Sequence, residues 1–396
     1  MLFAVSASAT SYATIIPVKA KGAGPLFRIQ RQEKWGYMTR SGRVVIAPRF
    51  EYAEDFFDGR AAVQVDGKWG YIDESGDFAI EPQFDAATDF VAGLAIVTVK
   101  RRVGLIDRVG AFVVSPKFDA IRPFSEGLAA VLVDAQRKGD DRIFAIYGGR
   151  WGFMDRSGKM TVEPQFDRAG DFSEGLAAVG VGGREAEGAV PRSDGVKWGF
   201  IDREGNIVIR PQFDEAKAFS SGVAAVWNKR KHKLGLIDRA GKLILPYEYE
   251  SIGPFQDGLA PVHGPEGPGY IAPDGRFTIR ADGWNFGRLF GDFGLFAEGL
   301  APVYGGDDQA GFIDRSGRLR IPLRFHSAEE FSEGLAAVRE GGLWGYIDTS
   351  GAMVIPLRYS MAMRFVDGLA LVEMGDFWSY IDSAGNVVLP DVFRSR

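Results

Sequence analysis

An all-β repeat array is the fold class this chain predicts, and three observations carry that expectation. A Trp-Gly-aromatic step recurs at a fixed period, turn residues fall at constant offsets from it, and the runs between are short and rich in β-branched or aromatic residues. The register position is held by Trp35, Trp69, Val103, Trp151, Trp198, Leu234, Pro268, Ala310, Trp344 and Trp378. The next residue is Gly in nine of the ten, with Ser379 the exception. Five of the nine spacings are equal, as from Trp35 to Trp69 and from Trp69 to Val103, which sets a unit of about 34 residues. The longer spacings carry insertions.

Each unit shows three strand signals in order. A Gly-Leu-Ala-Ala-Val run comes first, as in Gly127 to Leu132, and a Trp-Gly-Tyr-Ile-Asp run second, as in Trp69 to Asp73. The third is a run such as Asn206 to Ile209. Between the second and third lies Asp-x-x-Gly, as in Asp202 to Gly205. The Asp accepts amides ahead of it and the Gly takes positive φ, so these two strands form an antiparallel hairpin. Pro-x-Phe follows, as in Pro164 to Phe166; Pro has no N–H for a central ladder, so the strand ends there or forms an edge. A crossover such as Asp167 to Gly175 reads as one helical turn or an ordered loop, with Phe166 and Phe172 plugging it into the core. Leu26 to Gln30 supplies the first strand of the first unit, and the last unit stops at Val392-Phe393 without a crossover. The expected architecture is a tandem array of about ten three-stranded antiparallel β-meanders over 26–396, wound as a curved solenoid. A closed propeller-like ring is the alternative.

Composition agrees with this. Of 396 residues, 46% are hydrophobic and 25% charged, enough to bury a core. Gly at 52 suits many tight turns, and 30 Phe and 8 Trp suit an aromatic β core. A net charge of −5 offers no global attraction to nucleic acid, and the absence of Cys removes thiol catalysis and thiolate metal sites. No apolar run is long enough to mark a transmembrane helix. Residues 1–25 read either as a flexible N-terminus or as the remnant of a secretion signal, because Ala7-Ser8-Ala9 has the small-x-small form of a cleavage site. Export to the periplasm or beyond is weighed over a cytoplasmic location on that ground alone.

Lys34-Trp-Gly-Tyr, Lys68-Trp-Gly-Tyr-Ile-Asp and Lys197-Trp-Gly-Phe-Ile-Asp, with Phe172-Ser-Glu-Gly-Leu-Ala-Ala-Val179 and its copy at Phe331 to Val338, resemble the WG-repeat (KWG-repeat) family. The resemblance spans roughly residues 26–393. It implies a bacterial β-rich repeat scaffold with binding roles, no shared catalytic residues and no single ligand. The units at Val103, Leu234, Pro268 and Ala310 depart from the motif.

The repeated acid (Asp73, Asp107, Asp155, Asp202, Asp238, Asp314, Asp348, Asp382) precedes the same turn every time, which marks it as structural. The following Arg108, Arg156, Arg203, Arg239 and Arg315 would compete with Ca²⁺. His232, His263 and His326 have no metal-ligand spacing, and no Gly-x-Ser-x-Gly or phosphate loop is present. The expectation is therefore no enzyme, no cofactor and no metal.

Function is sought where units differ. The stretch from the first-strand Val to the register mark is short in ordinary units, as from Val63 to Trp69. It is far longer from Val131 to Trp151 and from Val179 to Trp198, and slightly longer from Val226 to Leu234. Insertions in one hairpin loop of successive units build a rim, the usual place for a binding surface. Positive charge collects there: Lys100, Arg101 and Arg102; Arg137, Lys138, Arg142 and Arg150; Arg184, Arg192 and Lys197; and Lys229, Arg230 and Lys231 beside Trp227. Glu126, Glu174, Glu298 and Glu333 mark an opposite, acidic edge. A second departure is the aromatic crossover Asp282 to Phe296, which centres on Trp284 and reads either as core packing or as a sugar or peptide platform. These features favour a non-catalytic binding or scaffold protein that takes a protein partner or an acidic envelope glycan, as an immunity or inhibitory factor would. A glycan hydrolase using Glu185, Glu187 and Asp194, and a plain structural spacer, are the alternatives.

Overall fold

The computed structural model describes residues 25–139, 144–183, 195–286, 294–307 and 309–394. Residues 1–24, on which the secretion-signal reading falls, lie outside them. Among the described residues all regular structure is β, in ten antiparallel sheets. In chain order, sheets one to ten span 26–50, 52–84, 86–118, 120–166, 168–213, 215–249, 251–280, 284–325, 327–359 and 361–394.

Each sheet is a sequential meander, and the three expected strands are present, but nine sheets have a fourth. Two residues or a few more at the start of the crossover pair with the first strand, as Ala120–Ile121 does with Leu132 and Val131. The three-stranded expectation therefore holds for sheet one alone. The helical reading of the crossover is replaced by this short edge strand.

The third strand also runs further than its β-branched core predicted. Ile207–Phe213 continues through Pro211, and the pairs Trp198↔Phe213 and Phe200↔Ile209 set four residues of the third strand against two of the second. The bulge brings backbone inward, and the glycine of the Trp-Gly step receives it. A Cβ on Gly199 would lie 2.4 Å from the Ile209 carbonyl oxygen and 2.6 Å from Pro211 N. The same closeness holds at Gly36, Gly70, Gly152 and Gly345. Proline in the third strand is tolerated because that strand is the outer edge of every sheet.

The core is a chain of aromatic pairs that cross sheet boundaries. The residue two after the register Trp is fully buried and meets the crossover Phe of the next sheet. Ring centroids are 4.9 Å apart for Phe153–Phe172, 4.7 Å for Phe200–Phe219 and 4.9 Å for Tyr346–Phe365. Such pairs add roughly 0.5–1.5 kcal/mol each beyond the area they bury.

The chain divides into two compact units. One is Phe84–Glu250, and it holds sheets three to six. The other, within Ile16–Gln83 and Ser251–Arg396, holds the remaining sheets. Within this second unit sheet ten packs directly on sheet one. Val392 is buried with Ile29 and Met38, and Phe27 meets Tyr380 at 5.5 Å. Arg31 donates to the carbonyls of Pro390 and Asp391. An open solenoid keeps its first and last repeats apart. The first and last sheets meet, as the propeller-like alternative expects.

Candidate functional site

The repeated Asp is fully engaged in its own turn. Asp202 Oδ1 accepts the amides of Glu204 at 3.1 Å and Asn206 at 2.8 Å, and Gly205 sits at φ +89°. Asp348 does the same with Ser350 and Ala352, and also accepts the Ser350 hydroxyl at 2.6 Å. That hydroxyl, then the amides, hold the Asp348 carboxyl below its ordinary pKa. Asp155 and Asp314 are lowered in the same way, by Ser157 and Ser316 first. At Asp202 and Asp382 desolvation pushes upward, and the Asn206 and Asn386 side chains with the turn amides outweigh it.

A second repeated acid, directly after the Pro-x-Phe aromatic, escaped the sequence reading. It reaches across to the hairpin between the first and second strands. Asp85 accepts the Lys100 amide at 2.6 Å, Asp119 the Ala135 amide at 2.9 Å, Asp167 the Gly183 amide at 3.0 Å and Asp214 the Lys229 amide at 2.8 Å. It also takes the cation at the base of the preceding sheet's hairpin. Arg102 pairs with buried Asp119 at 2.6 Å, Arg150 pairs with Asp167, and Lys197 pairs with Asp214 at 2.6 Å. Partial burial would raise the Asp214 carboxyl, but Lys197 and the Lys229 amide hold it down. The legible signal was the Phe-Asp step at Phe84, Phe118, Phe166 and Phe213.

The basic rim is therefore partly neutralised. Lys100 and Arg101 form an exposed positive-φ turn, and Lys229, Arg230 and Lys231 form an exposed tip. Trp227 is half-buried, paired with Leu234, and its ring lies 6.3 Å from His232. The first insertion is no loop. Leu128–Gly139 and Phe144–Asp155 form one long hairpin in which Arg137 pairs with Ile146 and Lys138 with Ala145. Arg142, Arg184, Arg192, Glu185, Glu187 and Asp194 lie outside the described residues. Trp284 is 6% exposed and packs with Tyr270 and Phe286, so the core-packing reading describes it and a surface platform does not.

The acidic edge is a set of pins between neighbouring sheets. Glu126 accepts the Gly175 amide at 2.9 Å and Glu174 the Gly222 amide at 2.9 Å; in the other unit Glu298 takes Gly334 and Glu333 takes Gly368. The Arg after the repeated Asp joins in: Arg239 lies 3.6 Å from Glu174 and donates to its backbone carbonyl at 2.8 Å. The preceding Ser adds a bond, Ser125 Oγ to the Phe172 carbonyl at 2.6 Å and Ser173 Oγ to that of Phe219 at 2.7 Å. The expected acidic face is thus structural.

Among solved structures, the chain is similar to BamB from Moraxella catarrhalis at 10% identity, over 77% of this chain and 96% of that one, with a TM-score of 0.33. AztD from Citrobacter koseri matches at 12% identity, over 83% and 93%, with a TM-score of 0.36. The extracellular domain of the putative hybrid two component system BT3049 from B. thetaiotaomicron matches at 10%, over 96% and 65%, with a TM-score of 0.25. At these scores none of them bears on function. No curated protein matches by sequence. The model of the WG containing repeat matches residues 35–69, 69–100, 104–135, 151–184, 198–226, 235–262, 311–344 and 344–376. With more than half of its length matched in register with the sheets, the chain belongs to the WG-repeat family.

Proposed function

We propose that this chain is a non-catalytic binding or scaffold module that recognises a protein or an acidic envelope ligand through the hairpins joining first and second strands. The observation that carries this reading is the division of labour among polar residues. Both repeated acids and the Glu-Gly pins are committed to turns and sheet boundaries, and they recur from unit to unit as a framework does. What varies is the hairpin rim: the long ribbon of sheet four and the cationic tip Lys229–Arg230–Lys231 of sheet six. Cations already paired at the hairpin bases contribute little net attraction. Arg230 and Lys231 at the exposed tip of sheet six face an anionic partner.

The ribbon can be removed cleanly, because Val133 and Arg150 are cross-strand partners. Replacing 134–149 with Asn-Gly recreates the ordinary hairpin seen at Val65–Lys68, where Asp66-Gly67 makes the turn. Capture with mass spectrometry is run on the full chain, on this excision and on the triple reversal Lys229→Glu, Arg230→Glu, Lys231→Glu. A partner retained by the full chain and lost from either variant supports the reading. Identical captured sets for all three proteins overturn it.

A further inference from the structure

One boundary within Phe84–Glu250 breaks the pinning rule. In sheet three the turn before the first strand reads Val91-Ala92-Gly93, where sheets four and five have Ser125-Glu126-Gly127 and Ser173-Glu174-Gly175. Both pins toward the next sheet are lost together. Ala92 has no carboxylate for the Gly127 amide, and Val91 has no hydroxyl for the Phe124 carbonyl. Ala92 nonetheless keeps the positive φ of +50° that Glu126 and Glu174 adopt. The arginine meant for the missing acid is retained: Arg156 stacks over Phe124 at 5.2 Å, as Arg239 does over Phe219 at 5.8 Å. Its guanidinium bonds the carbonyls of Val91 and Ala92, without the carboxylate that Arg239 finds in Glu174. Where the acid is absent again, at Ser221, the following repeat carries Pro273 in the Arg position, so acid and cation are dropped together there.

The same end of sheet three is apolar. Val91 is 60% exposed, and Val109 in the neighbouring turn is 79% exposed, where other repeats place Ser, Glu, Ala or Asp. Pairing of Leu94 with Asp107 sets the two turns at one end of the sheet. Phe124 is half-buried, whereas its equivalents Phe172 and Phe219 are 1% exposed. A local rule broken without gain in packing, beside exposed apolar side chains, marks a surface used for something other than stability.

We propose that the boundary between sheets three and four is a docking site for a protein segment that presents a carboxylate flanked by apolar side chains. The partner's Asp or Glu takes the place held by Glu126 and Glu174 elsewhere, accepting the Gly127 amide and pairing with Arg156. Its flanking residues cover Val91 and Phe124, with Val109 beside them. Charge complementarity selects the class: a retained cation, an amide aimed at an absent acid, and an apolar collar suit an acidic-apolar peptide. The site lies at the end of the sheet away from the hairpin rim and stands independently of it.

The test titrates the full chain with a fluorescein-labelled peptide containing Leu-Glu-Phe and with its Leu-Gln-Phe counterpart, followed by anisotropy. Ala92→Glu supplies the acid in cis and should raise the melting temperature while weakening the acidic peptide at least tenfold. Val109→Ser should weaken it severalfold with the melting temperature unchanged. The Gln peptide should bind at least tenfold more weakly than the Glu peptide. No saturable binding by the Glu peptide at millimolar concentration overturns the proposal. So does undiminished binding by Ala92→Glu, or equal binding of the two peptides.

Discussion

Gly199→Ala tests the physical meaning of the repeat signature. The backbone at Gly199 is one an alanine adopts without strain, so the substitution is judged on space alone. The new Cβ would meet the Ile209 carbonyl oxygen at 2.4 Å, Pro211 N at 2.6 Å and the Arg210 carbonyl carbon at 2.9 Å. All three are backbone atoms, so no side chain can turn aside. Relief requires the bulged third strand to move outward by about half an ångström or more, and overpacking of this kind costs about 1–3 kcal/mol. The Trp198↔Phe213 pairing sits beside the contact, and weakening its ladder bonds adds about 1 kcal/mol. Against this, Ala gains about 0.5–1 kcal/mol over Gly in backbone entropy. The net expectation is a loss of about 2–3 kcal/mol. A repeat chain of this length need not unfold as one unit, so the assay is local: hydrogen exchange of the amides in 207–213, with the urea midpoint beside it. Exchange there should accelerate by about 30- to 150-fold if it follows that local loss. Unchanged exchange and an unchanged midpoint refute the bulge explanation of the recurring glycine between Trp and the following aromatic.

Two further outcomes follow from the pins and turns. Glu174→Ala strips the Gly222 amide and Arg239 of their carboxylate, and with the site about one-third exposed the expected cost is about 1 kcal/mol. It should appear as faster exchange around Gly222, and equal exchange in Glu174→Ala and wild type contradicts the pin. On the acid side, the turn carboxyls Asp155, Asp314 and Asp348 have pKa values below their unfolded ones. Their contribution is fully present above about pH 4 and is lost as pH falls through the depressed folded values. Melting temperature followed from pH 7 downward should hold until about pH 4 and then drop, and Ser350→Ala should lower the neutral-pH melting temperature and make that acid drop smaller. A decline that begins near pH 6 would place the sensitive groups elsewhere.

Strand order and turn chemistry were legible because they are local. Asp-x-x-Gly names its own hydrogen bonds, and a fixed repeat period needs no partner to be seen. What stayed hidden depends on residues brought together across a sheet. Asp119 looks like an ordinary loop acid until the hairpin amide at Ala135 and the Arg102 guanidinium arrive beside it. The rim's apparent positive charge was overstated for that reason: counting cations in one loop omits the acids that another strand delivers. Glu126 and Glu174 mark an acidic edge in the sequence, and their role as inter-sheet pins shows only once the Gly175 and Gly222 amides arrive beside them.

The one repeat without glycine after the register position shows how far the signature depends on tertiary context. Ser379 is 1% exposed in a position where, in the other nine sheets, a glycine stands. In sheet ten the third strand takes a different path: Asp391 adopts φ +53°, and its amide donates to Ser379 Oγ at 3.1 Å. That turn of the backbone leaves room for a Cβ and gives the hydroxyl a partner. It also places Val392 inward, fully buried against Ile29 and Met38 of sheet one, where the equivalent Arg49 and Arg358 stay partly exposed. Sheet ten meets sheet one, and its edge strand is reshaped to bury an apolar side chain there. Ser for Gly is the local consequence of that reshaping. Ser379→Gly, followed by hydrogen exchange of the amides in 387–393, should leave the sheet intact and cost only about 1 kcal/mol for the lost hydrogen bond, in contrast to the two- to threefold larger loss expected when the same position gains a Cβ in sheet five.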